Sequence, residues 1–263
     1  MRRCKCGFVV AIALLAGAFA LSAEEVPLWL KEAKALRPGK FPMPPKAELR
    51  YQFGWGDFRA AEAVISIARK GGEWRAKGVG GTTGPVRPVW LFDCEAVSRV
   101  EMRGLLSREQ RMVEQFRSRS RSTSTIYSAK GVEAKRRETR KGSTTDSTRI
   151  YPFQARDLFA AALLIRSQRM DVGDRYPVVV SPGWGIYLVE VSVVAHELRP
   201  DGKGGTMPAI RCELNIRRIE RDGTLSAFTK FKSAVVWLAD DATRWPLRIE
   251  ASIFVGKVYA DKL

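Results

Sequence analysis

Residues Ser233–Leu263 read SAVVWLADDATRWPLRIEASIFVGKVYADKL. Val235, Val236, Trp237 and Leu238 form an apolar run of β-prone residues. Ala239-Asp240-Asp241-Ala242-Thr243-Arg244 is rich in turn formers and reverses the chain. After Pro246, Leu247, Ile249, Ala251, Ile253 and Val255 alternate with Arg248, Glu250, Ser252 and Phe254. A period of two is that of a strand with one face in a core and the other largely in water. The two runs form a hairpin, and this hairpin is expected to be the seam on which the other strands are laid.

Working outward, Tyr176–Val180, Ile186–Glu197, Ile210–Ile219 and Phe228–Leu238 read as further strands, with turns at Pro200–Gly205 and Arg221-Asp222-Gly223. Nearer the N-terminus, Leu49–Phe53 is a strand broken by Gly54-Trp55-Gly56-Asp57. Phe58–Ala68 and Glu73–Val79 follow, joined by a Gly71-Gly72 hairpin turn. The small residues Ala61, Ala63, Ala76 and Gly78 suggest a face that something approaches closely, although Gly in a strand more often marks a bulge. Gly80–Pro88 reads as a loop, and Val89–Val100 as a short helix, with Trp90, Leu91, Cys94 and Val97 at helical spacing. Leu106–Ser128 and Val132–Arg140 return to strand. Gln154–Met170 is the clearest helix: Asp157 sits near its start, and Leu158, Ala161, Ala162 and Ile165 form an apolar face widened by Leu163 and Leu164. About ten strands with short connections favour antiparallel pairing, and the lack of βα alternation argues against a doubly wound parallel sheet.

The chain has 263 residues, of which 45% are hydrophobic, enough to bury a real core. Its formal charge of +17 suits partners with negative surfaces. Arg2, Arg3 and Lys5 precede an apolar run, Phe8–Leu21, and Ala18-Phe19-Ala20 or Leu21-Ser22-Ala23 offers a cleavage site. That is the pattern of a secretory signal peptide, and the run is shorter than the ~20 residues of a spanning helix. Residues 1–23 are therefore read as a signal peptide, 24–47 as a Pro/Lys-rich lead-in with at most a short turn around Trp29–Leu36, and 48–263 as one β-rich domain. The expectation is export, with no transmembrane segment after cleavage and no nucleic-acid partner. Cleavage removes Cys4 and Cys6. For Cys94 and Cys212, a disulfide and two separate buried thiols both remain open.

Few residues carry chemistry. His196 is the single histidine, there is no zinc-type ligand cluster, and no G-x-S-x-G elbow exists to serve a Ser-His-Asp arrangement. Asp240-Asp241 reads as turn chemistry before it reads as an acid/base pair. Gly78–Gly84, GVGGTTG, lacks the lysine of a phosphate loop and reads as a connector. The strongest compositional signal is Glu101–Lys141, with 12 Lys/Arg against 5 Glu. It includes RSRSRS, whose Arg117, Arg119 and Arg121 share a face if extended. This is either a face for acidic lipid or polymer or the solvated side of two strands.

Certain residues also form an ordered set: Gly54-Trp55-Gly56-Asp57-Phe58-Arg59-Ala60; Thr83-Gly84; the Asp157-led helix; Trp237-Leu238-Ala239-Asp240-Asp241; Pro246–Glu250; and Gly256-Lys257-Val258. In this order they resemble the exported bacterial family called domain of unknown function 3108 (DUF3108), over roughly residues 48 to 263. Ala60-Ala61 departs from that family, where Gly often follows the Ala. The resemblance implies an exported, β-rich fold in the periplasm or cell envelope of a Gram-negative-type bacterium, and no particular reaction. In outline it is similar to the lipoprotein-carrier proteins of the bacterial envelope, whose half-open β-barrel wraps an apolar groove around helices.

The expectation is thus a mainly β fold (β-rich α+β), a large curved antiparallel sheet or half-open β-barrel wrapped around one main helix. Its expected role is that of a non-catalytic binding module for a lipid or acyl chain, without cofactor or metal, with a groove at Leu158, Ala161, Ala162, Ile165 and Trp237. The alternative is a structural protein that meets an anionic envelope surface through Arg117, Arg119, Arg121, Lys135, Arg136 and Arg137.

Overall fold

The computed structural model describes residues 26–43, 46–200, 204–230, 233–254 and 256–263. The expected signal peptide lies outside the described residues. In chain order the elements are α1 (Leu28–Ala35), β1 (Lys46–Trp55), β2 (Phe58–Lys70), β3 (Glu73–Thr82), β4 (Phe92–Glu101), β5 (Ser107–Phe116), β6 (Arg119–Ser128), β7 (Gly131–Arg140), β8 (Ser143–Tyr151), α2 (Leu158–Arg166), β9 (Arg175–Val180), β10 (Tyr187–Pro200), β11 (Thr206–Ile219), β12 (Leu225–Ala227), β13 (Ser233–Ala239), β14 (Pro246–Ile253) and β15 (Gly256–Lys262). The helix expected over Val89–Val100 is corrected: after a short 3-10 turn the chain enters β4. Gly80–Thr82 belongs to β3 rather than to a loop. β8 has no counterpart in the sequence reading, and the closing strand is two strands, β14 and β15.

All fifteen strands form one antiparallel sheet, in the order β8-β7-β6-β5-β4-β3-β2-β1-β15-β14-β13-β11-β10-β9, with β12 alongside β11. The sheet is two meanders, joined where β1 pairs with β15. The C-terminal hairpin therefore lies at the middle of the sheet. At the join, Gly54 stands opposite Tyr259 and Trp55 opposite Val258. A Cβ on Gly54 would lie 2.2 Å from the Tyr259 ring, so only glycine admits that ring. Arg248 stacks on the same ring at 4.6 Å, and its Nη1 donates to both carboxylate oxygens of Asp261, at 2.9 and 2.8 Å.

α2 packs on the concave face. Asp157 is fully buried and caps it: Oδ1 accepts the Ala160 N–H at 2.9 Å, and Oδ2 accepts the Ser98 hydroxyl of β4. Ala160, Ala161, Leu163 and Leu164 join a core with Leu49, Tyr51, Ile67, Trp74, Ala76 and Val100, while Ile165 joins Val191, Val193, Ile210, Val236 and Leu238. Leu163 and Leu164 are essentially inaccessible, each contributing about 1.5–3 kcal/mol by burial. The helix is shorter than Gln154–Met170. Its expected first turn is extended instead, with the Arg156 N–H donating to Val179 O and the Ser181 N–H to Arg156 O. This strip occupies the free edge of β9.

The sheet does not close; it overlaps itself like a scroll. Val178 and Val180 of β9 face α2. Val179 and Leu188, on the other face, pack against Tyr127, Val132 and Tyr151 from the inner side of β6–β8. The Tyr127 hydroxyl donates to Ser181 O at 2.8 Å. Beyond it Trp184 lies under the guanidinium groups of Arg136 (4.2 Å) and Arg149 (4.5 Å). α1, which the proline-rich lead-in allows as one short helix, fills the same seam through Ala33 and Trp29.

Candidate functional site

Burial changes along the concave side of each strand. On β2 Ile67 is buried, whereas Ile65, Ala63 and Ala61 are only half-buried; on β3 Trp74 and Ala76 give way to Gly78 and Gly80; on β4 Val100 and Ser98 give way to Ala96 and Cys94. α2 therefore fills one end of the scroll and leaves the other open. Three large apolar residues of this side meet solvent: Phe53 on β1 is 39% exposed, Ile249 on β14 40% and Leu158 on α2 57%. Register places Phe53 and Ile249 in one row, each directly opposite Ala260. The wall near them is built of small residues. A Cβ on Gly78 would lie 3.3 Å from Phe159 of α2, and one on Gly80 would lie 2.7 Å from the Ala63 Cβ. Bare backbone there lets the helix approach and the sheet coil tightly. The helix side left uncovered and the inner positions Phe53, Ala63, Gly80, Ala96, Met112 and Ile249 are thus apolar or small and only partly covered.

The five residues expected to line a groove divide. Leu158 and Ala162, one turn apart, are on the exposed side of α2. Ala161 and Ile165 are buried in the packing of the helix on the sheet and are not available to a ligand. Trp237 is corrected outright. Val236 and Leu238 face the helix, so by strand alternation Trp237 faces the convex side. There its indole donates to Glu197 Oε1 and Arg199 stacks over it at 4.1 Å. Phe53 and Ile249, exposed on the same side of the sheet, were not among the expected residues. Their period-two positions were legible, but which face would remain open was not.

The six basic residues do not form one face. Arg117 lies in the β5–β6 turn and donates to Pro88 O. Arg119, Arg121 and Arg136 share the concave parity of Thr123, Tyr127 and Ala134, while Lys135 and Arg137 point the other way. Arg121 pairs with Glu138 at 2.7 Å, and Arg137 with Asp146 at 2.9 Å.

Elsewhere, Asp241 is a turn residue, its Oδ1 accepting the Thr243 N–H and hydroxyl at 2.7 Å. Asp240 Oδ2 accepts His196 Nδ1–H at 2.7 Å, and His196 Nε2–H donates to Met170 O at 2.9 Å. Asp240 and the Met170 carbonyl both suit a donating ring N–H, so this geometry favours the protonated imidazole and engages both nitrogens. Cys94 and Cys212 are separate thiols, each pushed up to about 11 by burial. Among the described residues, no helix is long and apolar enough to cross a membrane.

The family model described as protein of unknown function (DUF3108) matches residues 50–262. A comparison with curated proteins gives no match. Among solved structures, the chain is similar to a β-barrel-like protein of domain of unknown function DUF1849 from Brucella abortus. The identity is 9%, the alignment covers 83% of this chain and 94% of that one, and the TM-score is 0.52. At such identity the likeness is one of fold alone.

Proposed function

Because the chain belongs to the DUF3108 family, whose description names no activity, we propose its role from its partly covered apolar surface: a non-catalytic binding module, exported to the cell envelope, that holds an acyl chain or similar lipidic ligand against α2. The observation that carries this reading is the uncovered side of α2, where Leu158 and Ala162 face solvent, together with the exposure of Phe53 and Ile249 on the sheet face that the helix packs against. Exposed apolar surface is what an apolar ligand covers. The signal-peptide pattern of residues 1–23 supports the location. The occupied ring nitrogens of His196 and the turn role of Asp241 support a role without bond chemistry. A titration with a fluorescent fatty acid tests the proposal. The unaltered protein should bind it saturably, and Ala162→Glu, on the exposed side of α2, should weaken binding at least about tenfold by placing a carboxylate on that apolar surface. Absence of saturable binding, or equal binding by the variant, overturns the reading.

A further inference from the structure

A cavity of about 260 Å³ lies between α1, the β4–β5 turn and the strip that leads into α2. It is lined by Leu30, Ala33, Lys34, Arg37, Gly104, Leu106, Gln154, Arg156 and Val179. Three of these residues are cations and none is an acid. The deepest is Arg156, whose residue exposure is 8%. Its Nε donates to Leu105 O at 3.0 Å and its Nη2 to Gly104 O at 3.3 Å. Those carbonyls satisfy hydrogens but do not neutralise a charge. Among the described residues no carboxylate pairs with Arg156. The nearby Glu101 is engaged by Arg108 at 3.5 Å. Burial and the Arg37 charge together push the Arg156 guanidinium down to about 10, so it stays cationic at neutral pH.

The backbone that holds Arg156 is itself strained. Leu105 is buried with φ +48°, a region that non-glycine residues seldom occupy, and its carbonyl is the one Arg156 grips. A buried, singly charged group without a counter-ion is costly. Here it borders a cavity with two more cations at its rim and an apolar wall of Leu30, Ala33, Leu106 and Val179. We infer that this cavity binds a small organic oxyanion: a carboxylate or phosphate carried on a short apolar body, with the oxyanion toward Arg156, Lys34 and Arg37. With Nε and one Nη2 hydrogen taken by the carbonyls, Nη1 and the second Nη2 hydrogen remain to meet either group, and the apolar wall selects against bare inorganic ions.

Calorimetric titration at constant ionic strength tests this with inorganic phosphate, with a phosphate monoester of a short alcohol, and with straight-chain carboxylates from acetate to hexanoate. Saturable binding that strengthens with chain length among the carboxylates assigns a carboxylate ligand; tighter binding of the phosphate monoester assigns a phosphate. Either supports the site. Lys34→Gln/Arg37→Gln changes two exposed side chains, keeps the fold by circular dichroism, and should weaken binding about tenfold. No saturable heat from any probe overturns the inference, as does equal binding by the double variant.

Discussion

His196 shows how much one side chain can report about its surroundings. It ties together three separate pieces of chain: β10, the β13–β14 turn through Asp240, and the end of the α2 segment through Met170. Met170 is itself in the left-handed region at φ +90°, so the imidazole holds a carbonyl that the backbone alone would not keep there. Hydrogen bonding to Asp240, then to Met170, with the further charge of Asp171, raises the imidazole pKa above its ordinary value. A raised folded-state pKa means that the charged ring stabilises the fold fully below the unfolded pKa of about 6.5, and that the contribution is lost as pH rises through the folded value. The ring is partly exposed, so after solvent screening the effect is about 0.5 kcal/mol, or about 1–2 °C in Tm. Thermal melts of the wild type and of His196→Gln should therefore differ more at pH 6 than at pH 9; a difference independent of pH would show that the ring is not charged in the fold. At this scale the sequence was a fair guide to Asp157 and Asp241, whose capping and turn roles are local. It was a poor guide to Arg119 against Lys135, or to Trp237, because which side of a strand faces the helix depends on partners elsewhere in the chain.

At the scale of elements, α2 and the small residues of β2–β4 are fitted to each other. Gly78 is the clearest case, with Phe159 Cζ 3.3 Å from where a Cβ would stand. Gly78→Val should cost about 1–3 kcal/mol by overpacking, and Phe159→Ala in the same chain should recover part of it. Urea denaturation of the two single variants and the double variant measures the coupling; additive costs would mean that the helix does not rest on this position. The same fit explains the misread Val89–Val100. The inner face of β4 carries Phe92, Cys94, Ala96, Ser98 and Val100, and Ser98 is spent on the Asp157 carboxylate. With a small or polar residue at most inner positions, the period of two is hidden, and Trp90, Leu91, Cys94 and Val97 imitate a helix. β8 was missed for another reason. Of its residues Ser143–Tyr151 only Tyr151 is buried, so an edge strand of threonine, serine and aspartate has no hydrophobic pattern to reveal it. The hairpins with Gly-Gly or alternating apolar residues were legible because turn chemistry and alternation are properties of neighbours in sequence.

For the whole molecule, the overlap of the sheet's two ends takes the place of barrel closure. One end is covered by the Arg156 strip, and at the other Trp184 lies under Arg136 of β7 and Arg149 of β8. Removing that ring in Trp184→Ala should loosen the overlap without opening the body of the sheet. Hydrogen exchange should speed up in β8 and residues 181–186, leave β1 and β15 protected, and accompany only a small change in Tm. Uniform acceleration would show that the overlap and the body unfold as one unit. That the strands form one antiparallel sheet around a helix was readable from alternation and short turns; that the sheet rolls inside itself was not, since no local pattern encodes which strand ends lie face to face. The β1–β15 pairing has a consequence in time. Its partners are separated by the whole length of both meanders, and neither half can shed its exposed inner edge until both have been made. Such a contact order predicts slow assembly. A nascent chain holding only the first meander would carry β1 as an unpaired template, which gives a holding chaperone a reason to stay bound until β15 arrives.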